Sequence, residues 1–307
     1  MSPAHKESLF TPVLIIAVFL LIIAAGFLPQ ETVGFDNNPY LSLVIIQLLI
    51  YALPALFYCR IRGRELTPKL RLRMPKPSHV LYIFHSTVFM ICTVILVSML
   101  MYRLAPADFK MSSVSEYAAF AMNQRFFDVV YLIIAAAVLP AVTEELLFRG
   151  IIIGEYQNYG AGIAAVMSAL MFAMSHFSLV RLPVYFVSGL ILAAVVFATR
   201  SIAAGIIIHT LNNAAVLLSE KYIVYISDRQ NISLGLFVMI VAAVALLSGM
   251  LMCYEAQYIY KSYSQSNTES EYAARKSGLM TRIAGVFFSP TFLVVVVIFV
   301  IAAIFIK

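Results

Sequence analysis

Charge is what this 307-residue chain has least of: only 12% of its residues are Asp, Glu, Lys or Arg, while 62% are hydrophobic. Soluble domains carry about 25% charge and about 45 to 50% apolar residues, so a chain with this balance cannot cover itself with a water-compatible surface. No stretch is polar enough to form a soluble lobe, and the whole is expected to be one membrane domain. Cysteine is also scarce. Cys59, Cys92 and Cys253 lie scattered in or beside apolar runs, without CxxC pairing, which excludes a disulfide framework and a cysteine metal site. The first apolar stretch lacks a basic n-region beyond Lys6 and an evident small-residue cleavage site, so it is expected to be a retained helix. No repeat of fixed period is found.

What is present is apolar length. A spanning helix needs about 20 residues, at about 1.5 Å of rise each across about 30 Å of hydrocarbon. Nine stretches come near this: Phe10 to Leu28, Leu41 to Cys59, Val80 to Met101, Phe127 to Tyr156, Ala161 to Phe177, Leu182 to Thr199, Ile202 to Leu218, Ile232 to Cys253, and Val286 to Ile306. The fold expected is an all-α, polytopic transmembrane helical bundle of eight or nine spans. It divides into an N-terminal scaffold of three helices (1–126), a four-helix core (127–218), and C-terminal helices with a polar linker (219–307).

The net charge of +6 does not point to nucleic acid, because the cations are not spread as a binding surface. Arg60, Arg62, Arg64, Lys69, Arg71, Arg73 and Lys76 crowd the connection between spans two and three, and cytoplasmic loops collect such charge. That puts the N-terminus in the cytoplasm and, with nine spans, Lys307 outside; the 21 basic residues then divide 14 to 7 in favour of the inner side. His85, alone among the ionisable groups of the first three spans, is expected to be a structural histidine bonded to a neighbouring carbonyl. Residues 103–125 are polar, with an interfacial amphipathic helix suggested by Tyr117, Phe120 and Met122. Residues 255–282, rich in Ser, Tyr, Glu and Lys, read as a cytoplasmic linker without a core.

Ionisable residues at membrane depth cost about 2.5 to 3.5 kcal/mol each on insertion scales, so those that persist require a reason. The fourth span holds Glu144, Glu145 and Arg149, the fifth His176, and the seventh His209, Asn212 and Asn213. Glu145 and Arg149 are four apart and share a helix face, suited to an ion pair. Glu144 points about 100° away and is left for another task. His209 and Asn213 project together, with Asn212 facing elsewhere. Each feature alone has a bland explanation: a structural clamp, a satisfied interior histidine, an amide bridging helices. Together they exceed it, since a clamp needs one glutamate and no histidines on neighbouring helices.

A buried carboxylate can take a proton from water and return it to a leaving amine. Two imidazoles and a carboxamide can polarise a carbonyl, hold an oxyanion or ligate a divalent metal. Hydrolysis of an amide uses every part. Other intramembrane protease signatures, HExxH, GxGD and GxSG, are absent. Ser175 beside His176 does not form a serine dyad, because adjacent helical residues do not face each other.

The run Glu144, Glu145 to Arg149 (EExxxR), followed by Phe172 to His176 (FxxxH) and His209 to Asn213 (HxxxN), resembles the CPBP family of CAAX prenyl protease type two enzymes and bacteriocin-processing and immunity proteins. The resemblance covers roughly residues 127 to 218. It implies that Glu144 activates water with His176 as its partner, that Glu145, Arg149 and Phe172 complete the motifs, and that His209 and Asn213 form an oxyanion hole or bind metal. It leaves the cofactor open: Glu144, His176 and His209 would satisfy a divalent metal such as zinc with an open fourth position, and the same residues work without one. The implied function is an intramembrane endopeptidase, a metalloprotease if metal is used, acting on a peptide or membrane-protein substrate with the lipid bilayer as its other partner.

The alternatives are a non-catalytic interaction or immunity protein, whose activity would survive loss of Glu144 and His176, and a proton-coupled transporter, which would show flux driven by a pH gradient. Short loops give the chain a prokaryotic style, so a bacterial plasma membrane is the expected location. One conflict stands in this reading. With straight helices His176 falls roughly 10 Å shallower than Glu144 and His209, so either the fifth span continues past Leu179 or a break before Pro183 lowers His176.

Overall fold

The computed structural model describes residues 3–27, 39–106, 109, 126–228, 232–265 and 278–305, and among these every regular element is helical. The helices are α1 (Pro3–Gly26), α2 (Leu43–Arg62), α3 (Pro77–Leu104), α4 (Phe127–Tyr159), α5 (Ala161–Met174), α6 (Leu182–Thr199), α7 (Ile202–Asp228), α8 (Leu234–Gln265), α9 (Leu279–Phe287) and α10 (Pro290–Phe305). By length and composition α2, α3, α4, α6 and α8 can each cross a bilayer, and the bent pair α9 and α10 makes a sixth span if counted as one. The described apolar parts of α1, α5 and α7 are shorter. Each of the nine apolar stretches thus folds as a helix or, for the last, as a pair bent by 52°. The bend falls at Pro290, whose ring supplies no N–H to continue the ladder.

Burial is inverted relative to a soluble protein. The described window of α8 is the most apolar of the five long helices, yet only 11% of it is buried, and Leu246 and Met250 stand about 70% exposed. Such faces are stable only against lipid, which cannot compete for the hydrogen bonds each helix satisfies internally. The chain is an integral membrane protein. Inside, α3 packs along α8, α1 along α10, and α5 along α6, so the N-terminal helices and the C-terminal ones enclose the core between them.

One end of the bundle is a basic collar. The connection after α2 is docked on the turn between α6 and α7: Arg73 Nε donates to the Arg200 carbonyl at 2.8 Å, and Ile202 N to the Arg71 carbonyl at 3.1 Å. Arg62 forks onto the buried carboxylate of Glu155 near the end of α4, and Arg282 Nη1 reaches the Tyr159 carbonyl at 2.8 Å.

Three expectations change here. The expected linker from Glu255 starts as helix, because α8 runs on to Gln265; there Tyr263 is buried beneath Arg200, 4.1 Å from its ring, and donates to the Ala198 carbonyl. His85 is paired with the Glu255 carboxylate at 3.1 Å instead of with a carbonyl, a partner the linker assignment had removed from the membrane. The fifth helix stops at Met174, three residues short of the expected end. The amphipathic segment at 110–125 and Lys307 lie outside the described residues.

Candidate active site

The early end of α5 resolves the depth conflict. Fourteen residues rise about 21 Å, so a helix that starts at one face of about 30 Å of hydrocarbon ends about 9 Å inside the other. His176 sits just past that end, in the break before Pro183, and lines the same cavity as Glu144 and His209. The chain turns sharply there: Phe177 has φ +46°, a left-handed conformation rare for an aromatic residue. Its ring is fixed edge-on to Phe19 of α1 at 4.9 Å and stacked on Phe299 of α10 at 6.4 Å. The outer helices therefore hold the kink that turns the neighbouring His176 inward.

His176 Nδ1 lies 2.9 Å from the carbonyl of Phe172. A carbonyl only accepts, so Nδ1 carries a proton, and in the neutral ring Nε2 presents a lone pair. Tyr185 of α6 stacks on the imidazole at 3.6 Å, and Phe172 packs edge-on to both histidine rings, at 5.1 Å from His176 and 5.6 Å from His209. Ser175 spends its hydroxyl proton on the Phe172 carbonyl at 2.7 Å, which fits its exclusion as a nucleophile.

Glu144 and Glu145 meet the two nitrogens of one imidazole. Glu145 Oε1 lies 3.0 Å from His209 Nδ1 and 2.7 Å from Arg149 Nη1, so the ion pair foreseen between Glu145 and Arg149 is formed, and it also orients the ring. Glu144 Oε2 lies 3.8 Å from His209 Nε2. Arg149 extends over the Phe172 ring at 4.5 Å and donates to the Gly189 carbonyl at 3.3 Å. A wider turn, Leu146–Ile152, follows directly on Glu145; such π-helical turns inside α-helices often sit at functional positions.

Glu144, Phe172, His176 and His209 border a cavity of about 260 Å³ whose walls come from α3, α4, α5, α6 and α7. Helix α7 presents His209, Asn212, Asn213, Val216 and Leu217 to it. Positions i, i+3, i+4, i+7 and i+8 form one helix face, so Asn212 borders the cavity with Asn213 and does not face elsewhere. Its Oδ1 is buried without a hydrogen-bond partner. The other polar contributors not foreseen are Arg181 and Ser188 of the wall, and Gln47 of α2, which donates to Glu144 Oε1 at 3.2 Å. The contributions of α2, α3 and α6 come from their halves remote from the basic collar, and Glu144 lies at the middle of α4. Among the described residues, no three His, Cys, Asp or Glu side chains are grouped to hold a metal ion.

Residues 126–215 match the family model described as Type II CAAX prenyl endopeptidase Rce1-like. This segment, under a third of the chain, carries the likeness to that family. All the motif residues fall within it, whereas Gln47, Met90 and Val94 do not. Over 91 residues the chain is 34% identical to the membrane-embedded CAAX protease MroQ of Staphylococcus aureus (strain USA300), an alignment covering 27% of this chain and 37% of that relative. The chain thus aligns with little more than a third of that protein's length. No solved structure matches. The matching segment supplies the acids, the imidazoles and Arg149, and the flanking helices supply part of the wall.

Proposed function

We propose that the chain is an intramembrane endopeptidase of the CAAX-protease type, in which Glu144 readies a water for attack on a peptide bond. The observation that carries this is the pairing of Glu144 Oε2 with His209 Nε2 across 3.8 Å, on a cavity into which His176 presents an unprotonated nitrogen. A water beside that pair, hydrogen-bonded to both from the cavity, would give a proton to Glu144 as its oxygen attacks the carbonyl carbon, with His176 Nε2 accepting its second hydrogen bond. Asn213, and His209 when its ring carries both protons, would donate to the oxyanion. Cleavage of the C–N bond then takes the proton from Glu144 to the leaving amine. Glu145 and Arg149 keep the His209 ring in its plane.

A general base of this kind contributes about 10²- to 10⁴-fold. Glu144→Ala is expected to lower cleavage of a fluorogenic, S-farnesylated peptide ending in Cys-Val-Ile-Met by about 10³-fold, with membrane insertion intact. Activity within threefold of the parent would remove Glu144 from the mechanism.

The location proposed is a bacterial plasma membrane with the N-terminus and the basic collar in the cytoplasm. The cavity then reaches from mid-depth into the outer half of the bilayer, since α3 and α6 line it from their halves away from the collar while Glu144 lies at the middle of α4. A cysteine in place of exposed Leu179, on the turn that carries His176, is expected to react with a membrane-impermeant maleimide in intact cells. One in place of exposed Met74 in the collar is expected to react only after permeabilisation. The reverse pattern would turn the protein over.

A further inference from the structure

Gln47 lies on α2, outside the segment that matches the family and on a helix that reads as scaffold, yet its carboxamide touches the candidate base. Nε2 stands 2.9 Å from Thr143 Oγ1 and 3.2 Å from Glu144 Oε1. The orientation of the amide follows from its neighbours. Thr143 directs its one hydroxyl proton at the carbonyls of Leu139, 3.0 Å away, and Pro140, 3.3 Å away, so toward Gln47 its oxygen can only accept. A carboxylate also only accepts. Both contacts therefore require N–H, and a flipped amide would set oxygen against two acceptors.

The local winding of α2 serves this contact. A π-helical turn, Leu48–Ala52, begins at the residue after Gln47, and within it Tyr51 is buried edge-on to Phe148 of α4 at 6.5 Å. The extra residue in that turn changes the azimuth between the two side chains, so that Gln47 and Tyr51 both meet α4. On the other side of the carboxylate, Oε2 faces His209 Nε2 and the cavity. The two oxygens of Glu144 are thus distinguished: one is held by an amide from another helix, the other looks into the site.

We infer that Gln47 is a positioning residue that clamps Oε1 of Glu144, so that Oε2 is the oxygen presented to water. This rests on the endopeptidase reading. Misplacement of a reacting group by about 1 Å can cost about 10²-fold in rate. A lost clamp should therefore act on turnover and not on substrate affinity.

The test uses the full chain in lipid nanodiscs and the same farnesylated peptide, with Gln47→Leu, Gln47→Asn, Thr143→Val and Glu144→Ala compared in parallel. Gln47→Leu and Gln47→Asn, the latter keeping the amide but one methylene too short, are each expected to lower kcat about 10- to 100-fold with KM within threefold. Thr143→Val removes one of the two acceptors that orient the amide but leaves the bond to Glu144, and is expected to lower kcat less than either Gln47 variant. A normal kcat in both Gln47 variants beside an inactive Glu144→Ala would overturn the clamp and leave the protease reading standing. A rise in KM alone would make Gln47 a substrate contact and overturn it as well. Full activity in Glu144→Ala would sink both. A readout that needs no turnover is modification of Glu144 by dicyclohexylcarbodiimide, followed by mass spectrometry. The rate is expected to rise several-fold in Gln47→Leu, and an unchanged rate would refute the clamp whether or not the peptide is cut.

Discussion

Ten residues apart on α4, Glu145 and Glu155 are each buried against an arginine, and they are held in opposite ways. Glu155 has both oxygens engaged by the Arg62 fork, Nε to Oε1 at 2.8 Å and Nη2 to Oε2 at 3.1 Å, with the Tyr58 hydroxyl adding a third contact at 3.4 Å. Glu145 places Arg149 and His209 on the single oxygen Oε1, and its Oε2 is buried with no partner. The first arrangement is saturated and touches nothing titratable in the cavity, as a fastening of the collar should be. The second gives up hydrogen bonding in order to hold an imidazole. Removing one member of a buried pair strands the other at a cost of about 3 to 5 kcal/mol, whereas replacing both by apolar groups is often neutral. Burial and an arginine partner therefore do not separate clamp from site; the distribution of partners over the two oxygens does.

The sharpest break of that comparison is to neutralise each acid in turn. Glu145→Gln is expected to lower peptide turnover by at least about 100-fold, because a neutral amide holds Arg149 and the His209 ring less firmly, and Nε2 is then no longer fixed toward Glu144. Glu155→Gln is expected to leave turnover within about threefold and to lower thermal stability less than Glu145→Gln, since the Arg62 side chain is 23% exposed whereas Arg149 is fully buried. Replacing both partners separates the roles further: Arg62→Met with Glu155→Met should recover most of the stability and keep the activity, but Glu145→Met with Arg149→Met should recover stability alone. Equal losses of turnover at the two positions, measured beside thermal unfolding in detergent, would erase the distinction.

How much of this was legible in the sequence follows from what helical periodicity can and cannot carry. The ion pair between Glu145 and Arg149 and the shared face of His209 and Asn213 could be read because a spacing of four fixes an azimuth. All nine apolar stretches were legible because hydrocarbon thickness fixes their length. Their ends were not. Tertiary contacts decided where α5 stops and where α8 continues, through the Phe177 kink and the packing of Tyr263 under Arg200. The partners of Glu144 and Glu155 lie 97 and 93 residues away in sequence, at distances where no period applies. Gln47 escaped because a search for ionisable groups at membrane depth passes over a neutral amide, although it is the one carboxamide in its apolar stretch. A search that included amides, which bridge membrane helices readily, would have raised it.

Gly205 gave no signal at all, and it carries the smallest of the expected effects. It lies one turn before His209 on α7, and a Cβ there would stand 2.8 Å from Glu145 Oε2 and 3.0 Å from a Val196 methyl. The carboxylate cannot swing aside freely, because Arg149 and His209 fix its other oxygen. Gly205→Ala must therefore push α7 away from α4 by some tenths of an ångström and carry His209 with it, at an overpacking cost of about 1 to 3 kcal/mol. Gly150 offers the matched control. It follows Arg149 directly, but a Cβ there meets only the ends of flexible side chains, Leu70 at 3.3 Å and Ile202 at 3.4 Å. We expect Gly205→Ala to reduce turnover about tenfold and Gly150→Ala by less than about threefold, a difference of about 0.7 to 1.4 kcal/mol at the barrier. If the two variants behave alike, close contact between α7 and the Glu145 carboxylate is not what sets the ring. The unpartnered oxygen would then be only a gap in packing, and no longer a mark that separates Glu145 from the saturated Glu155.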